Sequence, residues 1–396
     1  MQRTKSKILS ILLSLVMLLS LLPTTALAAG NYPDYVRVFN ENGQSTSLSD
    51  KQYLAANSDT AVQDGYDGTQ TYVARYDKSS GKLYLNGYQG SATEGSIFAG
   101  GDLNIEVESN SSFSTSTTTT NDLYGIQAND TLTITGTGTL TVTAKGNGTV
   151  YGIYVDEGVT ISAPLVVDVG KKDSSKNGPL YGIYTKSGAI SLDGNDMIVT
   201  ATGGTEKVYG VYNAADTSTT ITDNGNIGIS GTLTVNLSNG SYNRGISSQG
   251  GVITLDGATV KIPGSYYYGI FNDSGNVVIK NNSDVDISSD ISNNNGICTD
   301  AGGDLTIQNS TVKVSADGYA ANLKGNVSIK DSMVDLTRTS SYYEVIKTGN
   351  SSATNTIDLS GTGSVTLTAS GEQTNYAMIT GKVTLGPQHE IRNWQA

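Results

Sequence analysis

A tripeptide recurs along this chain. Tyr-Gly-Ile stands at residues 124–126, 151–153, 181–183 and 268–270. Related copies carry the glycine, or the residue in its place, at Gly125, Gly152, Gly182, Gly210, Gly245, Gly269, Gly296, Ala320, Glu344 and Ala377. The steps between them run from 24 to 35 residues, and a degenerate earlier copy begins at Ser96-Ile97. Self-similarity at such a period is the mark of a solenoid, in which no single repeat can bury its apolar face alone.

Each repeat holds three short alternating segments. In the first full copy they are Tyr124-Gly125-Ile126, Leu132-Thr133-Ile134 and Leu140 to Ala144. The second recurs as Val159/Ile161, Ile190/Leu192 and Ile253/Leu255, the third as Val167/Val169, Leu233/Val235 and Val312/Val314. Period-two alternation buries one face and wets the other, and Gly, Asn and Asp between the segments are turn formers. Three strands and three turns in about 24 residues make one coil of a parallel β-helix, all-β, with about ten coils stacked at the strand spacing of roughly 4.8 Å. The 35-residue step leaves room for an insertion around Thr217–Ile229.

Strict alternation would point Tyr and Ile of the tripeptide inward and Gly outward. The tyrosine recurs at Tyr124, Tyr151, Tyr181, Tyr209, Tyr268, Tyr319, Tyr343 and Tyr376, with Arg244 and Asn295 interrupting. The expectation is a structural ladder of stacked rings at one corner of the coil, beside outward glycines that leave backbone open to close approach.

The flanks differ. Residues 1–29 read as an export signal: Arg3, Lys5 and Lys7, an apolar run from Ile8 to Leu22, then Ala26-Leu27-Ala28. Its removal leaves 21 basic against 36 acidic residues, a net charge of −15. That balance disfavours nucleic acid and anionic membranes as partners. The expected location is extracellular, at the cell surface, with no transmembrane span in the mature chain. Cys298 is the single cysteine, so no internal disulfide staples the fold. Residues 30–95 read as an N-terminal β cap, with a hairpin of Thr71–Asp77 and Lys82–Tyr88 joined by Lys78 to Gly81. Residues 96–386 form the β-helix, and 387–396 a tail, cut short or leading to further domains. Glu108–Asp122 reads as a mobile Ser/Thr-rich loop.

Three constellations could carry chemistry. Two residues after each glycine stand Tyr154, Tyr184, Tyr212, Ser247, Phe271 and Cys298. Tyr154, Tyr184, Tyr212 and Phe271 could form a flat aromatic strip for sugar rings; the plainer reading is an aromatic ladder that stabilises stacking. Asp284 and Asp286, both outward, with Asp290 nearby, could hold Ca²⁺. Against that, Lys261, Asp286, Lys313 and Asp335 fall abreast in successive coils, a charge ladder that needs no metal. No catalytic group emerges: His389 lies in the tail, and of Arg37, Arg75, Arg244, Arg338 and Arg392 only Arg244 and Arg338 fall within coils, away from acidic clusters.

The stretches YGIQANDTLTITGTGTLTVTA and YGIFNDSGNVVIKNNSDVDIS resemble coils of the right-handed parallel β-helix, pectin-lyase-like superfamily. They are similar to repeats in exported cell-surface proteins of Gram-positive bacteria, and to a β-helical carbohydrate-binding family whose members bind plant polysaccharides with calcium. YVARYDKSSGKLYLNGYQG followed by GDLNIEVESNSS looks like the lead-in of such surface proteins. The resemblance implies a right-handed solenoid and a glycan or cell-surface ligand; the pectin-degrading members' catalytic pattern cannot be placed here, and one fold hosts many activities. The leading expectation is a non-catalytic exported β-helix that binds carbohydrate or acts in adhesion as part of a larger surface protein. The alternatives are a purely structural stalk, or a polysaccharide lyase or glycoside hydrolase.

Overall fold

A computed structural model describes residues 30–203, 206–215, 225–238, 240–264, 267–289, 294–339, 344–349, 355–369, 378–379 and 382–385. From Tyr32 onward the chain forms one compact unit. The described residues contain no helix; their strands form three sheets of 13, 14 and 11 strands wound as a parallel β-solenoid of about ten turns. Each turn visits the sheets in one order. Leu123–Ala128 lies in the first sheet, Leu132–Gly136 in the second and Leu140–Gly146 in the third. Their partners one turn on are Val150–Val155, Val159–Ile161 and Leu165–Lys171, all parallel. β-Branched and leucine side chains stacked in these columns fill the interior, most with no exposure to solvent.

Parallel pairing begins earlier than the first legible repeat. Lys82–Asn86 already pairs parallel with Leu103–Ser109, and Gln89–Ala92 with Ser111–Ser116. The expected hairpin is present, shortened to Ala74–Asp77 against Lys82–Asn86. Antiparallel strands precede it: Tyr35–Phe39 pairs with Ser45–Ser49 on one side and Ile97–Ala99 on the other. Tyr76 and Tyr88 are fully buried there, with the Tyr88 hydroxyl donating to the Phe39 carbonyl. Arg75 lies 3.4 Å over the centre of the Tyr84 ring and 4.6 Å from that of Tyr66.

Several expectations are corrected. Glu108–Asp122 is not simply a loop: Ser111–Ser116 is a strand of the third sheet, and Phe113 on it is buried. The insertion in the longest step does not reach Ile229, because Ile227–Ile229 is an in-register strand between Ile190–Leu192 and Ile253–Asp256. Ala321 pairs with Ile346 and its amide donates to the Val345 carbonyl, so Val345, not Glu344, stands in the glycine position.

The largest correction concerns the tripeptide. In Leu123–Ala128 the buried residues are Leu123, Gly125, Ile126 and Ala128, with Tyr124 and Gln127 outside. Gly and Ile both face the core, so the alternation breaks between them. Consecutive amides reflect this bend: Gly296 donates to the Tyr319 carbonyl at 2.9 Å and Ile297 to that of Ala320 at 3.0 Å. The tyrosine therefore points to the surface and the glycine inward, the reverse of what simple alternation implies.

The inward glycines answer to the third sheet. A Cβ on Gly152 would come within 2.3 Å of Val167 Cγ1, on Gly182 within 2.2 Å of Val199 Cγ1, and on Gly210 within 2.2 Å of Val235 Cγ1. The same pairing continues with Gly245 and Ile262, Gly269 and Ile287, and Gly296 and Val314. What approaches the glycine backbone is the chain's own β-branched column across the core.

Candidate functional site

The bend places two aromatic columns side by side on the outer face of the first sheet. Tyr124, Tyr151, Tyr181 and Tyr209 stack with ring centres 4.9–5.1 Å apart and planes within 8° of parallel. Tyr154 and Tyr184, three positions after Tyr151 and Tyr181, stack at 5.2 Å and 9°. Between columns the rings meet edge to face: Tyr151 with Tyr154 at 81°, Tyr181 with Tyr184 at 70°. The arrangement is a herringbone, the preferred geometry for aromatic quadrupoles. Register drives it, since Tyr151 pairs directly with Tyr181 and Tyr154 with Tyr184.

This packing decides what the strip can do. Ring faces are spent on neighbouring rings, so edges and hydroxyls meet solvent. Tyr212 and Phe271 are 7% and 4% exposed. The Tyr154 hydroxyl donates to Asp156 Oδ1 at 2.8 Å, and Gln249 Nε2 donates to the Tyr212 hydroxyl at 2.6 Å. Burial, reinforced at Tyr154 by the Asp156 carboxylate, holds the phenols of Tyr151, Tyr154 and Tyr181 well above the ordinary tyrosine range. The strip thus turns its ring faces largely toward one another, with the Asp156 carboxylate beside the Tyr154 hydroxyl.

Arg244 takes the place of the tyrosine after Tyr209, and Ser247 that of the ring after Tyr212. The guanidinium leans into the gap left by Ser247, donating from Nη1 to Ser247 Oγ at 3.2 Å. Its Cζ lies 3.7 Å from the Phe271 ring centre and 5.2–5.8 Å from those of Tyr242, Tyr268 and Tyr209. Further along, Tyr268 packs on Phe271, while Tyr319 receives a hydrogen bond from Lys347 Nζ at 3.2 Å. The ladder is therefore continuous over four coils, and then interrupted. Tyr343 and Tyr376 lie outside the described residues.

The lysine–aspartate column is in register: Lys261 pairs with Asp286, Asp286 with Lys313, and Lys313 with Asp335. No ion pair within 4.0 Å forms among these four; alternation of sign across the sheet, rather than direct contact, is what the register provides. Asp284 is exposed and Asp286 half-buried, and Asp290 lies outside the described residues. Among the described residues no three His, Cys, Asp or Glu side chains are grouped as a metal ion would need. Burial, then the Asp300 charge, pushes the Cys298 thiol up to about 12. Such a thiol is not a ready nucleophile at neutral pH.

A second ladder escapes the alternation argument. Three residues after each glycine stand Thr185, Asn213, Ser248, Asn272 and Thr299, abreast in five successive coils and essentially unexposed. Asn272 Nδ2 donates to the carbonyls of Gly251 and Asn276 at 3.1 and 2.9 Å, while its Oδ1 accepts from the Gly275 amide at 2.9 Å. Asn213 repeats the pattern with Gly188, Asn226 and Ala215. The two asparagines thus tie turn backbone to the ladder, in part alongside backbone donors such as the Ile190 and Ile253 amides, whereas the Thr185 hydroxyl is buried without a partner. The legible signal is that Ala128 and Val155 hold this position in earlier coils, and small hydrogen-bonding residues in the later ones.

Compared with known proteins, the chain matches no family model, no curated protein and no solved structure.

Proposed function

We propose that this chain is an exported, non-catalytic β-helix serving as a rigid rod within a surface protein, built on the pectin-lyase-like plan. One observation carries the reading: the tyrosine columns direct their ring faces at one another, coil after coil, and so stiffen the axis rather than present a flat binding platform. Parallel sheets stacked in register resist bending for the same reason. The leading basic and apolar segment supports export.

The second reading is glycan binding along the hydroxyl edge of the strip, favoured by the Tyr154–Asp156 hydrogen bond, which sets a phenol and a carboxylate side by side on the surface. Pyranose hydroxyls pair with such groups, and repeated weak contacts along a rod would sum. A glycan array on the mature chain, with Tyr154→Ala/Tyr184→Ala as partner, separates the two. The rod reading expects no saturable binder and a lowered melting temperature in the double variant. A glycan that binds wild type and is lost from a double variant of unchanged melting temperature overturns it.

A further inference from the structure

Beyond the rod reading, the interruption at Arg244 has a chemistry of its own. The mature chain carries a net charge of −15, yet neither Arg244 nor Lys207 forms an ion pair with any described carboxylate. Lys207 is exposed and lies directly abreast of Tyr242, two residues before Arg244 on the same outward row, so the two residues are diagonal neighbours in the sheet. Arg244 is half-buried, and its Nε is sealed from solvent with no hydrogen-bond partner. Cation–π contacts with four rings explain how the charge is tolerated. They leave its guanidinium without the bidentate anionic partner that such groups favour.

The surroundings choose among anions. Tyr242 and Tyr267, both half-buried, stack at 4.6 Å, and Tyr267 meets Tyr268 edge to face at 4.7 Å. The half-buried rings beside the guanidinium present apolar edges, so an anion carrying an apolar body is favoured over a fully hydrated ion. We infer that Arg244 and Lys207 form a binding site for a small organic carboxylate, its anion on the two cations and its ring or chain against Tyr242 and Tyr267.

Benzoate is the probe, titrated calorimetrically into the mature chain at low salt. Saturable binding is expected, at least tenfold tighter than acetate, which lacks the apolar body, or benzyl alcohol, which lacks the charge. Arg244→Gln is expected to weaken it at least tenfold and Lys207→Gln about threefold, with affinity falling as KCl rises. No saturable heat, or wild-type affinity in Arg244→Gln, overturns the proposal. Should Arg244→Gln fail to fold, Lys207→Gln decides together with the salt series: exposed Lys207 leaves the fold intact, and unchanged affinity in both overturns it.

Discussion

Gly125 and Val142 face each other across the core, and a methyl group at the β position of Gly125 would lie 2.5 Å from Val142 Cγ1. The same hypothetical atom would lie 2.5 Å from the Gly152 carbonyl oxygen. The glycine column is thus held from two directions: by the β-branched column of the third sheet, and by the backbone of the next coil. Gly182→Ala, within 2.2 Å of Val199 Cγ1 and 2.6 Å of the Gly210 carbonyl, is expected to destabilise the fold by about 2–4 kcal/mol. Adding Val199→Ala removes the side-chain clash but not the backbone one, so urea titration should show that the double variant recovers less than expected from the space gained. Full recovery would mean that the carbonyl contact costs nothing.

The tyrosine herringbone makes a graded prediction. Tyr151→Ala removes a ring packed against Tyr124, Tyr154, Tyr181 and Tyr184, and is expected to cost about 2–4 kcal/mol. Tyr151→Phe keeps the ring and should cost under about 1 kcal/mol. Chemical denaturation of the three proteins checks the order. Equal losses from Ala and Phe would place the energy in the hydroxyl and remove the argument for stacking.

How much of this could be read from the chain follows from what alternation can and cannot encode. The three-strand coil, its parallel pairing and the Lys261–Asp286–Lys313–Asp335 register were legible, because residues two apart share a face and the repeat fixes which stand abreast. The orientation of Tyr124 and Gly125 was not, because a single bend between Gly125 and Ile126 reverses every side chain before it. Nor was the buried amide column, since Asn213 and Asn272 read as turn residues until the coil is closed around them. Ser111–Ser116 does not read as a strand because its alternation is of hydroxyls, with Phe113 the one large apolar residue.

That amide column supports a third prediction. Asn272→Ala removes the side-chain partner of the Gly251 carbonyl and the Gly275 amide in a half-buried turn, while the Asn276 carbonyl keeps the Ile253 amide at 3.0 Å. A group left unsatisfied costs about 1–3 kcal/mol when buried and less where water reaches it, so a loss of about 1–3 kcal/mol is expected. The hydrogen-exchange protection of the Gly275 amide should fall selectively. A stable Asn272→Ala protein with unchanged protection there would show that the turn does not depend on the side chain.

The last prediction concerns alkaline pH. Burial raises the phenols of Tyr72 and Tyr76 to about 12, and moves those of Tyr151, Tyr181 and Tyr212 upward as well. In the unfolded chain they would ionise near the ordinary value of about 10. The folded state therefore holds protons that the unfolded state releases. The associated stability is fully present below about pH 10 and is lost as pH rises from there through the folded values. Monitored by phenolate absorbance, the chain should titrate in two phases: a first phase that leaves the fold intact, and the columns only at higher pH, together with loss of β-sheet circular dichroism. A single phase near pH 10 with the sheet signal intact would mean that the column hydroxyls reach water freely, and the herringbone as described would not hold.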